Sequence, residues 1–158
     1  MRVAILTVSD SVFRGERADQ SGPALRERCA KLGWQVVSSE VVPDESSTIQ
    51  AFLIACADSQ HADIILTTGG TGLGPRDVTP EATTGVCSRL VPGVGEIMRS
   101  AGRGGNLYAA LSRAVAGVRA QTIIVNLPGS PKGAVESLDA VAGLLPHAVE
   151  TLHGARHD

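Results

Sequence analysis

Apolar residues fall in short unbroken runs that alternate with stretches of helical spacing. Val3-Ala4-Ile5-Leu6, within Arg2 to Val8, is too short and too continuous for an amphipathic helix and predicts a buried strand. Ser21-Gly22-Pro23 then opens a helix with Leu25, Cys29 and Leu32 on one face, and Gly33 stops it. Gln35 to Val42 reads as a second strand. Ser46, Ser47 or Thr48 caps a helix carrying Ile49, Phe52, Leu53 and Cys56, and Asp63 to Thr67 is a third strand. After a glycine-rich stretch, Thr79 caps a helix with Pro80 in its first turn; Pro92-Gly93 breaks the run before a short helical piece, Val94 to Ser100. Ala101 to Asn106 is the least regular part of the chain. Ala114 to Val118 and Thr122 to Leu127 read as a hairpin joined by Arg119-Ala120-Gln121. Ala134 to about His153 is helical, with Pro146 kinking or splitting it, and Gly154 to Asp158 is expected to fray. Strands alternating with helices predict an α/β fold, with a parallel or mixed sheet covered on both faces.

Composition narrows the class. The 158 residues are expected to form a single domain, 1–158, with 43% hydrophobic and 19% charged residues, a globular balance. A net charge of −2 and 3% aromatics argue against nucleic acid and anionic membrane as partners. No apolar stretch is long enough to span a bilayer, and Met1-Arg2 runs directly into the first strand, so a cytoplasmic location is expected. Cys29, Cys56 and Cys87 lie far apart in apolar contexts and read as buried thiols; the histidines lack zinc-site spacing.

Candidate chemistry gathers where strands end. Ser9-Asp10 follows the first strand and Asp44 the second. The third delivers Thr68-Gly69-Gly70-Thr71-Gly72-Leu73-Gly74-Pro75-Arg76-Asp77, and Pro128-Gly129-Ser130 follows the last strand. Ligands of open α/β sheets bind beyond the carboxyl ends of the strands. Glycines let backbone N–H groups approach an anion, and a hydroxyl at Thr71 and a carboxylate at Asp77 add chemistry beyond a tight turn. The loop lacks the Lys-Ser/Thr pair of a Walker A motif, and Gly70, Gly72 and Gly74 miss the dinucleotide spacing by one residue.

Taken together, these motifs resemble the molybdopterin-binding family of molybdenum cofactor biosynthesis, of the MogA/MoaB and gephyrin G-domain type. The resemblance rests on Val8-Ser9-Asp10, Asp19-Gln20-Ser21-Gly22-Pro23 and Val42-Pro43-Asp44-Glu45. It continues through Thr68-Gly69-Gly70-Thr71-Gly72, Pro75-Arg76-Asp77-Val78-Thr79-Pro80-Glu81-Ala82, Pro92-Gly93, Leu111-Ser112-Arg113 and Asn126-Leu127-Pro128-Gly129-Ser130-Pro131. It implies a three-layer α/β/α fold with a mostly parallel mixed sheet. The implied reaction is adenylyl transfer from ATP to molybdopterin with Mg2+; a catalytically weak binding or scaffolding module is the alternative. It also implies a homotrimer, or a hexamer, and a molybdenum insertase-type partner. By the same resemblance, Asp44 and Asp77 are the catalytic acids that hold the metal. The substrates fall to Ser9, Asp10, Gly69, Gly70, Thr71, Gly72, Ser112, Arg113, Pro128, Gly129 and Ser130. The chain departs from the family at Gly102, where a serine is common, and in Gly104-Gly105-Asn106-Leu107-Tyr108.

Overall fold

The structure, a computed structural model, describes residues 1–155. Its strands are β1 (Arg2–Val8), β2 (Gln35–Val42), β3 (Ile64–Thr68), β4 (Arg89–Leu90), β5 (Ala116–Arg119) and β6 (Thr122–Leu127). They form one sheet in the order β2-β1-β3-β6-β5-β4. β2, β1, β3 and β6 run parallel, whereas β5 is antiparallel to both of its neighbours. The helices are α1 (Asp10–Phe13), α2 (Ser21–Lys31), α3 (Ser46–Asp58), α4 (Thr79–Val86), α5 (Pro92–Arg103), α6 (Pro131–Val141) and α7 (Leu145–Leu152). A 3-10 stretch spans Leu107–Leu111.

The period-two alternation of β1 generates the three layers. Val3 and Ile5 face a core with Leu25 and Cys29 of α2, Met98 of α5, Leu138 of α6 and Val149 of α7. Ala4, Leu6 and Val8 face the opposite core with Ile49 and Leu53 of α3 and Ala82 and Val86 of α4. A parallel strand covered on both faces must be apolar throughout, which is why β1, β3 and β6 read as unbroken runs. Each fully buried Leu or Ile contributes about 1.5–3 kcal/mol, so the two cores dominate stability.

Register sets the site. Val8 pairs with Val42, Thr7 with Thr68, and Thr68 with Leu127, so β1, β2, β3 and β6 end level with one another. The loops after these strands therefore open on one edge of the sheet. Chain order reverses at β1, with β2 on one side and β3 on the other, leaving a crevice between the following loops.

Several local expectations are corrected. Ser9-Asp10, expected only as a pair following the first strand, opens a turn of helix over Asp10–Phe13, where the Ser9 hydroxyl accepts a hydrogen bond from the Val12 N–H at 3.3 Å. Pro92-Gly93 opens α5 rather than interrupting a run. Proline needs no donor at a helix start, and the helix continues through Ala101 to Arg103, expected to be irregular. β4, missed because only two residues pair, lies on β5. Pro146 does split the last helical run: it sits in the first turn of α7. Gly154 is in the left-handed region at φ 93°, with Gly154 N–H bonded to Thr151 O at 3.1 Å and Ala155 N–H to Glu150 O at 3.0 Å. That is a Schellman cap, so these two residues are not frayed. The rest of the expected tail, 156–158, lies outside the described residues.

Candidate active site at the carboxyl ends of the strands

Backbone forms the floor of the site. Gly69 and Gly70 have φ of 104° and 68°, values that L side chains rarely adopt. A Cβ on Gly69 would lie 2.2 Å from the Val8 carbonyl oxygen, and one on Gly129 would lie 3.3 Å from the Gly69 Cα. The loops after β1, β3 and β6 thus meet with no side chain between them. Thr79 fastens the base: its hydroxyl donates to Gly69 O at 2.9 Å and its N–H to Gly70 O at 3.1 Å. Thr79 was expected as a helix cap, but its hydroxyl is directed to the loop, and Val78 occupies the cap position. Among the described residues, the N–H groups of Gly70, Thr71 and Gly72 donate to no protein acceptor. They remain available to an anionic ligand.

A cavity of about 600 Å³ opens above this floor, lined by Ser9, Asp10, Asp44, Gly69, Gly70, Asp77, Gly129 and Ser130 among others. Asp10 and Asp44 clasp each other reciprocally. Asp10 N–H donates to Asp44 Oδ2 at 2.8 Å, and Asp44 N–H donates to Asp10 Oδ1 at 3.0 Å. Arg76 donates from Nε and Nη2 to the two Asp10 oxygens, both at 3.0 Å. This fork, helped by the Asp44 N–H, holds the Asp10 carboxyl below the usual carboxylate range. Asp44 is pushed the other way, first by burial and then by the negative charges of Asp10 and Asp77, against the Asp10 N–H bond. Neither Asp44 nor Asp77 forms a salt bridge among the described residues. Asp77 is oriented by the Gly74 N–H, which donates to its Oδ2 at 2.8 Å. On the far wall, Asp19 accepts from the Thr7 hydroxyl at 2.8 Å and from Gly22 N–H at 3.0 Å; a Cβ on Gly22 would fall 2.3 Å from that carboxylate.

A second cavity of about 440 Å³ adjoins the first, sharing Ser130 with it. Thr71, Gly72, Ser112 and Pro128 line it, together with Met98, Arg99, Tyr108 and Leu111. Gly102 also lines it, and a Cβ there would lie 2.8 Å from Ala109 Cβ. The glycine thus lets the 3-10 stretch pack closely on α5.

The sequence-predicted residues therefore divide between two neighbouring chambers. Ser9, Asp10, Asp44, Gly69, Gly70, Asp77 and Gly129 border the larger, Thr71, Gly72, Ser112 and Pro128 the smaller, and Ser130 both. Arg113 borders neither; its guanidinium donates to Gly72 O and Asp77 O, both at 2.7 Å, and pairs with Glu81. Sequence reasoning left Arg76 open and did not single out Arg99, Tyr108 or Asp19 as wall residues. Only the Asp19-to-Pro23 motif carried any signal for Asp19.

Beneath the floor, Asn126 is fully buried. Its Nδ2 donates to the Thr67 hydroxyl at 3.0 Å and the Thr83 hydroxyl at 2.9 Å, and its Oδ1 accepts from Val115 N–H at 3.2 Å. One amide thereby ties β3, α4 and the start of β5 to β6.

Comparison with known proteins shows the family. The family model described as "Probable molybdopterin binding domain" matches residues 4–147. The chain is 39% identical over 156 residues to the molybdopterin adenylyltransferase of Helicobacter pylori strain J99, covering 98% of this chain and 89% of that protein. It is 39% identical over 153 residues to a molybdenum cofactor biosynthesis bifunctional protein of Synechococcus elongatus, covering 97% of this chain but 48% of that protein. The crystal structure of the molybdopterin biosynthesis enzyme MoaB from Thermus thermophilus superposes with a TM-score of 0.92 at 54% identity, covering 99% of each chain. On the family model, these near-complete matches and the shared fold, the chain belongs to the molybdopterin-binding family of molybdenum cofactor biosynthesis, of the MogA/MoaB type.

Proposed function

We propose that the chain is a molybdopterin adenylyltransferase, moving AMP from ATP to the phosphate of molybdopterin and releasing pyrophosphate. The observation that carries this reading is the pair of chambers joined at Ser130, one ringed by carboxylates and hydroxyls, the other mixed apolar and polar. Two large substrates must react end to end, and two adjoining chambers suit them. The larger chamber takes the triphosphate. The smaller takes the pterin, bounded by Ser112, and the reacting phosphates meet over the glycine floor.

In the reaction an oxygen of the molybdopterin phosphate attacks the α-phosphorus of ATP. The bond from that phosphorus to the bridging oxygen breaks, and pyrophosphate carries away the electron pair. The attacking phosphate is already ionised, so no general base is needed, and the chain's task is positioning and charge stabilisation. The free N–H groups of Gly70, Thr71 and Gly72 and the Ser9 and Ser130 hydroxyls hold phosphate oxygens.

The donor set fits a hard divalent cation such as Mg2+. Asp44 and Asp77 line one chamber and, among the described residues, neither forms a salt bridge; Asp44 is raised first by burial and then by neighbouring negative charge, which a cation would relieve. Among the described residues no group of three or more His, Cys, Asp or Glu is arranged to hold a metal, so phosphate oxygens and water would complete the shell. When bound, such an ion supplies neutralisation of charge on the transferring phosphates.

Pyrophosphate release from ATP and Mg2+ tests the proposal, measured with and without molybdopterin. Release should require molybdopterin and fall by about 100-fold or more in Asp77→Asn. Molybdopterin binding without release would favour the binding-module reading instead. Among the described residues no helix is long and apolar enough to cross a membrane. The family resemblance supports a homotrimer, with a hexamer as the variant, which sedimentation would distinguish. A relative named bifunctional, of which this chain spans 48%, supports product transfer to an insertase-type partner.

A further inference from the structure

The loop from Gly69 to Val78 carries Asp77 to the larger chamber, yet Leu73, Gly74, Pro75 and Arg76 are exposed. Its base is fastened by Thr79. Its tip is closed by the Gly74 N–H bond to Asp77 Oδ2 and the Asp77 N–H bond to Gly74 O at 3.0 Å. Between base and tip, the carbonyl oxygens of both limbs point to a single residue. Arg113 N–H donates to Thr71 O at 2.9 Å, Nε to Gly72 O at 2.7 Å, and Nη2 to Asp77 O at 2.7 Å, while Nη1 pairs with Glu81 of α4. A planar guanidinium with fixed donor directions spans outgoing and returning limbs in a way that a lysine ammonium cannot.

We propose that Arg113 is a positioning residue: its guanidinium is a strut that fixes the separation of the two loop limbs and so places the Asp77 carboxylate in the larger chamber. Glu81 orients the strut. Arg113 directly follows Ser112, which lines the smaller chamber, so the same segment forms the pterin-side wall and sets the position of Asp77. The strut thus makes the geometry of one chamber depend on the wall of the other. The role of Asp77 in this inference rests on the adenylyltransferase reading, whereas the bracing of the loop does not.

The test uses Arg113→Lys and Glu81→Gln in the full chain, with two readouts. The first is hydrogen exchange in the protein alone at the Gly74 and Asp77 amides, the two hydrogen-bonded N–H groups of the tip. The strut predicts at least about tenfold faster exchange there in Arg113→Lys, a smaller rise in Glu81→Gln, and unchanged protection in β1 and β6. The second is steady-state kinetics of pyrophosphate release. Arg113→Lys should lower kcat by about 100-fold, the order of loss expected from displacing a catalytic group by about 1 Å, with the KM for molybdopterin within about twofold. Unchanged loop exchange overturns the strut. A raised molybdopterin KM with kcat retained also overturns it, because that pattern marks direct substrate contact. If the parent chain shows no release, the adenylyltransferase reading fails while the exchange result still decides the bracing.

Discussion

Asn126 shows how far one side chain can be committed. Its amide serves two threonine hydroxyls and a backbone N–H, so truncation strands two buried hydroxyls and the half-buried Val115 N–H at once. Asn126→Ala is expected to cost about 3 kcal/mol of unfolding free energy, measurable as a lower urea midpoint. Gly69→Ala should be worse than its size suggests. The left-handed backbone alone costs about 1–3 kcal/mol, and the new methyl would also meet the Val8 carbonyl. At this scale the sequence exposed residues whose position announces them: Ser9 and Asp44 lie just past strands, and Asp77 ends the glycine loop just before α4. It did not expose their partners. Arg76 reaches Asp10 across 66 residues, and Arg113 reaches the glycine loop across 36 and 41. Such pairings depend on where the chain returns, which no local spacing encodes.

Elements were more legible than their ends. The apolar runs gave β1 and β6 within the bounds observed, because burial on both faces leaves little choice of residue, and the valines at the two ends of the edge strand β2 gave its bounds as well. Caps were less readable, since several serines and threonines stood near each helix start and tertiary contacts claimed some of them. Gln20 and Glu45 occupy cap positions without a side-chain bond, whereas Ser130 accepts from Gly133 N–H at 3.1 Å. The hairpin was recognised, but its turn proved tighter: Arg119 pairs with Thr122, leaving Ala120 and Gln121 as the connection. Ala120 sits at φ 50°, a conformation that costs a non-glycine residue about 1–2 kcal/mol. Ala120→Gly should therefore stabilise the protein by about 0.5–1 kcal/mol after glycine's own entropy cost, seen as a rise in Tm with pyrophosphate release unchanged.

For the molecule as a whole, acid is the informative perturbation. Hydrogen bonds from Arg119 hold Asp58, and from Arg113 hold Glu81, below their ordinary pKa values. A carboxylate lowered on folding stabilises above its unfolded pKa, about 4, and that contribution disappears as pH falls through the folded value. The urea midpoint should therefore drop below about pH 4, and less steeply in Asp58→Asn, which has no proton to take up there. The layered fold itself was foreseeable from alternation and from the family resemblance. The division of the site into two chambers was not, because it depends on how the 3-10 stretch leans on α5 through Gly102.

The glycine floor has a consequence for how this enzyme can change. Gly69, Gly70 and Gly129 present only main chain to the larger chamber, and a Cβ on any of them would meet Val8, Thr79 or Gly69 itself. Saturation mutagenesis at Gly69 and Gly70, where the contact is severe and φ is positive, should return almost nothing but inactive clones. Altered substrate preference, in the laboratory or over descent, must then arise from the walls, at positions such as Tyr108, Arg99 and Gly102. The floor is held by sterics and the walls are where novelty can enter.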